Sequence, residues 1–168
     1  MEMGKGNKMI YLIGFMGSGK STIASRLAEK LQCSCIEMDE SIEKQEGLTI
    51  PEMFAQHGES YFREKERDFL RSLEGEAVVS TGGGVILSKE NCEMMREGTV
   101  IYLHAGWETI VHRLKNDTSR PLWSGDESEK KQRFEDRLKL YKEAAHHVVV
   151  VDDKAPEVIA EEIAARLK

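Results

Sequence analysis

Three glycines, a lysine and a serine crowd into Gly14-Phe15-Met16-Gly17-Ser18-Gly19-Lys20-Ser21, between an apolar run and a helical pattern. Residues 8–15 (KMIYLIGF) read as a buried strand, and 20–31 repeat Ile23, Leu27 and Leu31 at helical spacing. A strand, a glycine-rich bend and a helix in immediate succession leave few folds open. The strand must be covered on both faces and the helix must turn back across it, which begins a layered α/β domain.

The rest of the chain repeats this alternation. Strands are expected over 35–38, 77–80, 99–104 and 148–151. Helices are expected over 39–46, 51–73, 88–96, 107–115, 129–145 and 156–167, the last with Pro156 in its first turn. Residues 116–128 are polar, contain Pro121 and Gly125, and read as a loop. Five short strands, most of them continuous apolar runs, predict a parallel sheet covered on both faces. For 168 residues without an internal repeat, one domain over 1–168 suffices.

Composition removes several function classes. No apolar run approaches the roughly 18 residues of a bilayer span. The opening MEMGKGNK lacks the apolar core of a secretory signal, so a cytoplasmic location is expected. A formal net charge of −6 argues against a nucleic-acid surface. Cys33, Cys35 and Cys92 lack paired spacing and read as reduced structural thiols, and the histidines form no metal-binding set. No feature calls for a partner chain, and a monomer is expected.

The pattern G-x-x-x-x-G-K-[ST] is met by Gly14, Gly19, Lys20 and Ser21 in the strand-to-helix context it requires. Such glycines let the backbone curl until the N–H groups of Gly17, Ser18, Gly19, Lys20, Ser21 and Thr22 face inward. The positive end of the helix dipole joins them, and a phosphate chain is held without bulky side chains. Lys20 then reaches the β- and γ-phosphates, and the Ser21 hydroxyl ligates Mg²⁺. A nucleoside triphosphate site follows, shared by kinases, motor ATPases and GTPases.

Neither N-K-x-D nor D-x-x-G occurs, which argues against a switch GTPase. Residues 148–153 (VVVVDD) resemble an acidic strand end that holds Mg²⁺. As the last strand, however, they belong at the sheet edge, with neighbouring strands about 4.8 Å apart, too far from Ser21, and they read as structural. The 77–80 strand ends in no carboxylate, leaving Glu37 and Asp39 as the nearest acids. Their spacing puts both side chains on one side of an extended chain, near the phosphates; two solvated acids ahead of a helix, with Asp39 as its cap, fit equally well.

Taken in order, GFMGSGKST (14–22), MDESIE (38–43), GESYFREKE (58–66), STGGG (80–84), SRPLW (119–123), RLKLY (137–141) and VDDKAP (151–156) resemble the shikimate kinase family of small P-loop kinases over 11–167. The resemblance implies an α/β P-loop kinase fold with a five-stranded parallel sheet flanked by helices, a substrate-binding segment at 39–73 and a mobile lid at 116–128. It implies ATP with Mg²⁺ as phosphoryl donor and the 3-hydroxyl of shikimate as acceptor, on the route to chorismate and aromatic amino acids.

By the same resemblance, Arg63 and Arg137 clamp the substrate carboxylate, a task suited to planar guanidinium forks. Gly82, Gly83 and Gly84 let backbone N–H groups approach the substrate ring. Asp39 contacts its hydroxyls and, with Lys20, is catalytic. Arg120 is the lid arginine closing over the phosphates. Arg113 and Pro156 sandwich adenine, with Lys154 in the same loop. Glu37 stands where an aspartate is usual in the family, so whether it meets the Ser21-bound Mg²⁺ directly or through water stays open. Other readings remain beside this one. Arg63 lies four residues after Glu59, a helical ion-pair spacing. A gluconate or nucleoside monophosphate kinase could use the same scaffold, as could a nucleotide-dependent binding module without transfer activity.

Overall fold

The computed structural model describes residues 8–15, 17–114 and 126–167. Along the chain run β1 (Lys8–Ile13), α1 (Lys20–Leu31), β2 (Ser34–Glu37), α2 (Met38–Glu46), α3 (Ile50–His57), α4 (Glu59–Ser72) and β3 (Glu76–Ser80). A 3₁₀ turn (Val85–Leu87) leads into α5 (Lys89–Met95), β4 (Thr99–His104), α6 (Trp107–Leu114), α7 (Glu127–Ala144), β5 (His147–Val150) and α8 (Pro156–Arg166).

All pairings are parallel and the strand order is β2-β3-β1-β4-β5. The strand preceding the glycine bend is therefore central. Leu12 and Ile13 are wholly buried, and Tyr11 is set against Val79 of β3 on one side and Val100 of β4 on the other. The expected five-stranded parallel sheet is found. The chain winds one way from β1 to β2 and the other way to β4, so a crevice forms at the carboxyl ends of the central strands, where such sheets hold ligands. β5 lies at an edge, as expected. There Asp152 accepts from the Gly106 N–H at 3.0 Å and the Thr109 hydroxyl at 2.6 Å, tying two loops together.

Two local readings are corrected. Residues 51–73 form two helices, because Gly58 at φ 89° ends α3 and opens α4 in a backbone geometry that side chains disfavour. β2 stops at Glu37, and the wholly buried Met38 already opens α2. Glu37 and Asp39 therefore do not project from one side of an extended strand; Asp39 stands in the first turn of a helix.

Buried charges interrupt two apolar stripes. On α4 the buried positions are Phe62, Glu66, Phe69 and Leu70; on α7 they are Phe134, Arg137, Tyr141 and Ala144. The α7 pattern predicts Leu138 on the inner face, yet Arg137 is 6 % exposed while Leu138 is only half-buried. A charge inside an apolar stripe destabilises the fold unless it is paired, so both point to a site.

Candidate active site

Gly17 and Gly19 take φ 87° and 92°, which wraps the bend tightly between β1 and α1. α3 and α7 open on capping boxes, Thr49 with Glu52 and Asp126 with Glu129, but α1 opens on Gly19 with no side-chain cap. Its first N–H groups are left for an anion. Lys20 Nζ lies over the bend, donating to the carbonyls of Gly14 at 2.7 Å and Phe15 at 3.3 Å. Arg113 Nη1 donates to the Gly17 carbonyl at 2.9 Å.

The Ser21 hydroxyl donates to Glu37 Oε1 at 2.8 Å. Two hard oxygens beside a phosphate cradle suit Mg²⁺, which takes one or two protein oxygens and fills the remaining positions with phosphate and water. These residues thus fit the metal. Together with Thr22, Asp39, Glu43, Thr81 and Gly83 they border a cavity of about 630 Å³.

Beside Gly83 the second half of the site is built around missing side chains. A β-carbon at Gly82 would fall 2.7 Å from Asp39 Oδ1 and 3.0 Å from Glu66 Oε2. One at Gly84 would fall 2.6 Å from both terminal nitrogens of Arg63. The Tyr141 hydroxyl donates to the Gly83 carbonyl. Arg63 donates to Glu66 Oε1 at 3.0 Å and to Glu59 Oε2 at 3.1 Å, so the helical ion pair exists alongside the packing on Gly84.

Arg137 bonds to Tyr141, and its Nη1 is buried with no acceptor among the described residues. Burial pulls its guanidinium below the usual arginine range. A buried guanidinium N–H without an acceptor marks a seat for an anion. Glu66 is 0 % exposed, and burial pushes its carboxyl up to about 7 against the opposing pull of Arg63.

Lys154 Nζ pairs with Glu162 at 3.0 Å, and Pro156 is the exposed first residue of α8; neither borders the cavity. Arg120 lies outside the described residues, as do 116–125 of the anticipated lid, while Asp126 caps α7. Among the described residues no cluster of three or more His, Cys, Asp or Glu could hold a metal. No described helix is long and apolar enough to cross a membrane.

The family model for shikimate kinase matches residues 16–168. The chain belongs to the shikimate kinase family. Shikimate kinase of Sulfurihydrogenibium sp. (strain YO3AOP1) is 43 % identical over 164 residues, 96 % of this chain and 98 % of that protein. Shikimate kinase of Persephonella marina is 44 % identical over 162 residues, 95 % and 98 % respectively. Among solved structures, shikimate kinase from Acinetobacter baumannii in complex with shikimate superposes with a TM-score of 0.87 at 34 % identity, covering 96 % of this chain and 93 % of that one. The Aquifex aeolicus enzyme superposes at 0.85 with 39 % identity and 95 % of each chain.

Within this shikimate kinase fold, sequence reasoning misses Glu66 and Tyr141 as site residues. A signal for the first exists: an acid at the second position of an otherwise apolar 62, 66, 69, 70 stripe. Tyr141 reads as an ordinary core residue, and only the contact with Gly83 sets it apart.

Proposed function

We propose that the protein transfers the γ-phosphoryl group of MgATP to the 3-hydroxyl of shikimate, acting as a single-domain monomer in the cytoplasm on the route to chorismate and aromatic amino acids. The observation that carries this reading is the buried Arg137 Nη1 without an acceptor, one turn from the Tyr141 that holds Gly83, with Arg63 packed on neighbouring Gly84. Two guanidinium forks against a glycine-walled seat suit a small ring acid, whose carboxylate they hold in bidentate fashion.

In this mechanism the N–H groups of Gly17, Ser18 and Gly19 and the start of α1, through Ser21 and Thr22, bind the triphosphate. Lys20 moves its ammonium from the loop carbonyls to the β- and γ-phosphates and offsets their charge. Mg²⁺ held by Ser21 and Glu37 supplies further charge neutralisation when bound. Arg113 exchanges the Gly17 carbonyl for the adenine face, opposite Pro156 and beside Lys154.

Arg63 and Arg137 fix the carboxylate while the backbone of Gly82, Gly83 and Gly84 approaches the ring. Asp39 accepts a hydrogen bond from the reacting hydroxyl, aims its oxygen at the γ-phosphorus and takes its proton as the new bond forms and the bond from that phosphorus to the β,γ-bridging oxygen breaks, with ADP as leaving group. In a loose transition state this aim matters more than the basicity of Asp39. Arg120, from the lid, covers the phosphates. A coupled assay of ADP release across shikimate, gluconate and nucleoside monophosphates tests the reading: shikimate should support turnover and the others should not. Turnover on gluconate or a monophosphate with none on shikimate would replace it.

A further inference from the structure

Glu66 has no part in the mechanism above, yet it is the wholly buried acid at the centre of the acceptor half of the site. From its own helix, Arg63 donates to Oε1 at 3.0 Å. From α2, Asp39 faces the same Gly82 α-carbon that Glu66 Oε2 faces. From α7, the charge of Arg137 acts on it, with Tyr141 bonded to that arginine. From α5, the amide of Asn91 shares with Glu66 and Arg63 the wall of a second cavity of about 260 Å³. Glu66 Oε2 and Asn91 Oδ1 both lack a hydrogen-bond donor among the described residues. A buried acceptor without a donor is costly, and a proton on Oε2 would turn that oxygen into a donor.

We infer that Glu66 is a positioning residue that takes up a proton from solvent as the acidic substrate enters, which frees the Arg63 guanidinium to serve the substrate's carboxylate. The inference deepens the functional reading above and rests on it. Arg63 already pairs with Glu66 and with the exposed Glu59, and the charges of Asp39 and Arg137 act on Glu66, so an arriving carboxylate adds a further negative charge beside a buried acid. It also competes for the guanidinium that helps keep Glu66 ionised. Burial has already pushed the Glu66 carboxyl up to about 7, and drawing Arg63 away raises it further. The second cavity, bordered by the solvent-facing Glu59 and by Arg67, gives the proton its path.

The linkage has a definite sign. If binding takes up a proton, affinity is greatest where Glu66 is already neutral and falls as pH rises above about 7, by up to about tenfold per pH unit until the bound-state value is reached. Calorimetric titration of shikimate at about pH 7.5, in buffers of different ionisation enthalpy, counts that proton directly. Uptake of between about a half and three quarters of a proton is expected, because about a quarter of the free protein already carries it at that pH. In Glu66→Gln, whose amide copies the neutral acid, uptake should vanish and affinity should stay flat with pH. Pronounced shikimate binding to the wild-type protein with no proton uptake, or equal uptake in Glu66→Gln, would overturn the inference. The wild-type titration decides the first point even if the variant does not fold. No binding of shikimate at any pH, with ATP binding intact, would instead overturn the functional reading and the inference with it.

Discussion

Arg63 lies flat against Gly84, so close that a β-carbon there would fall 2.6 Å from both terminal nitrogens of its guanidinium. Gly84 itself is at φ −99°, open to any residue, so Gly84→Ala tests the contact without straining the backbone. The methyl group pushes the guanidinium off its seat. The KM for shikimate should rise by about tenfold or more, with the KM for ATP within about twofold of wild type. Steady-state kinetics with each substrate varied in turn checks this; an unchanged shikimate KM would remove Arg63 from the clamp.

Tyr141→Phe removes one hydroxyl from two partners, the Gly83 carbonyl and Arg137. An unsatisfied buried carbonyl costs about 1–3 kcal/mol, which for a domain of this size lowers Tm by about 3–10 °C. Thermal unfolding should show that loss, and shikimate KM should rise as the glycine segment loosens. A variant with wild-type Tm and KM would mean that the hydrogen bond holds nothing in place.

The parts of this protein that are legible in its sequence are the local ones. Glycines followed by Lys20 and Ser21 after an apolar run specify a bend and its ligand at once, and the repeated strand–helix alternation specifies the parallel sheet with β1 inside it. The division at Gly58 is not legible in the same way, because α3 and α4 continue one run of helical periodicity and only the backbone geometry of the glycine separates them. Adjacent residues on a helix differ by about 100°, so whether Leu138 or Arg137 faces inward on α7 depends on what lies opposite. What lies opposite is made by α2, α4 and the Gly82–Gly84 segment together. For the same reason Glu66 passes as one more surface acid until three helices close over it. Arg63, Arg137, Asp39 and the three glycines come together around one seat.

Glu37→Gln keeps an oxygen within reach of the Ser21 hydroxyl but removes the charge. If Glu37 helps hold Mg²⁺, the magnesium concentration for half-maximal activity should rise about tenfold at fixed ATP. Titration with Mg²⁺ measures it, and an unshifted curve would assign the metal to Ser21 and phosphate oxygens alone.

Asp152 gives the fold an acid limit. Burial raises its carboxyl, but the Thr109 hydroxyl and the Gly106 N–H outweigh that and hold it below the usual carboxylate range. A carboxyl depressed in the folded state stabilises the fold above its unfolded value and loses that contribution as pH falls through the folded one. Denaturant unfolding from about pH 7 down to about pH 3 should therefore show stability falling below about pH 4 in wild type. Asp152→Asn should be less stable at neutral pH and less sensitive over that acid range. Parallel curves for the two proteins would show that the loop tie does not depend on charge.

The central claim is that a phosphate-cradling bend and a glycine-walled, doubly guanidinium-clamped seat act on one another's ligands. The direct measurement is the fate of a γ-labelled phosphoryl group when the protein, MgATP and shikimate are combined. The label should appear on the 3-oxygen of shikimate, one for each ADP formed, and Arg137→Ala should abolish that transfer. Label recovered only as inorganic phosphate, or ADP formed at the same rate without shikimate, would contradict the account.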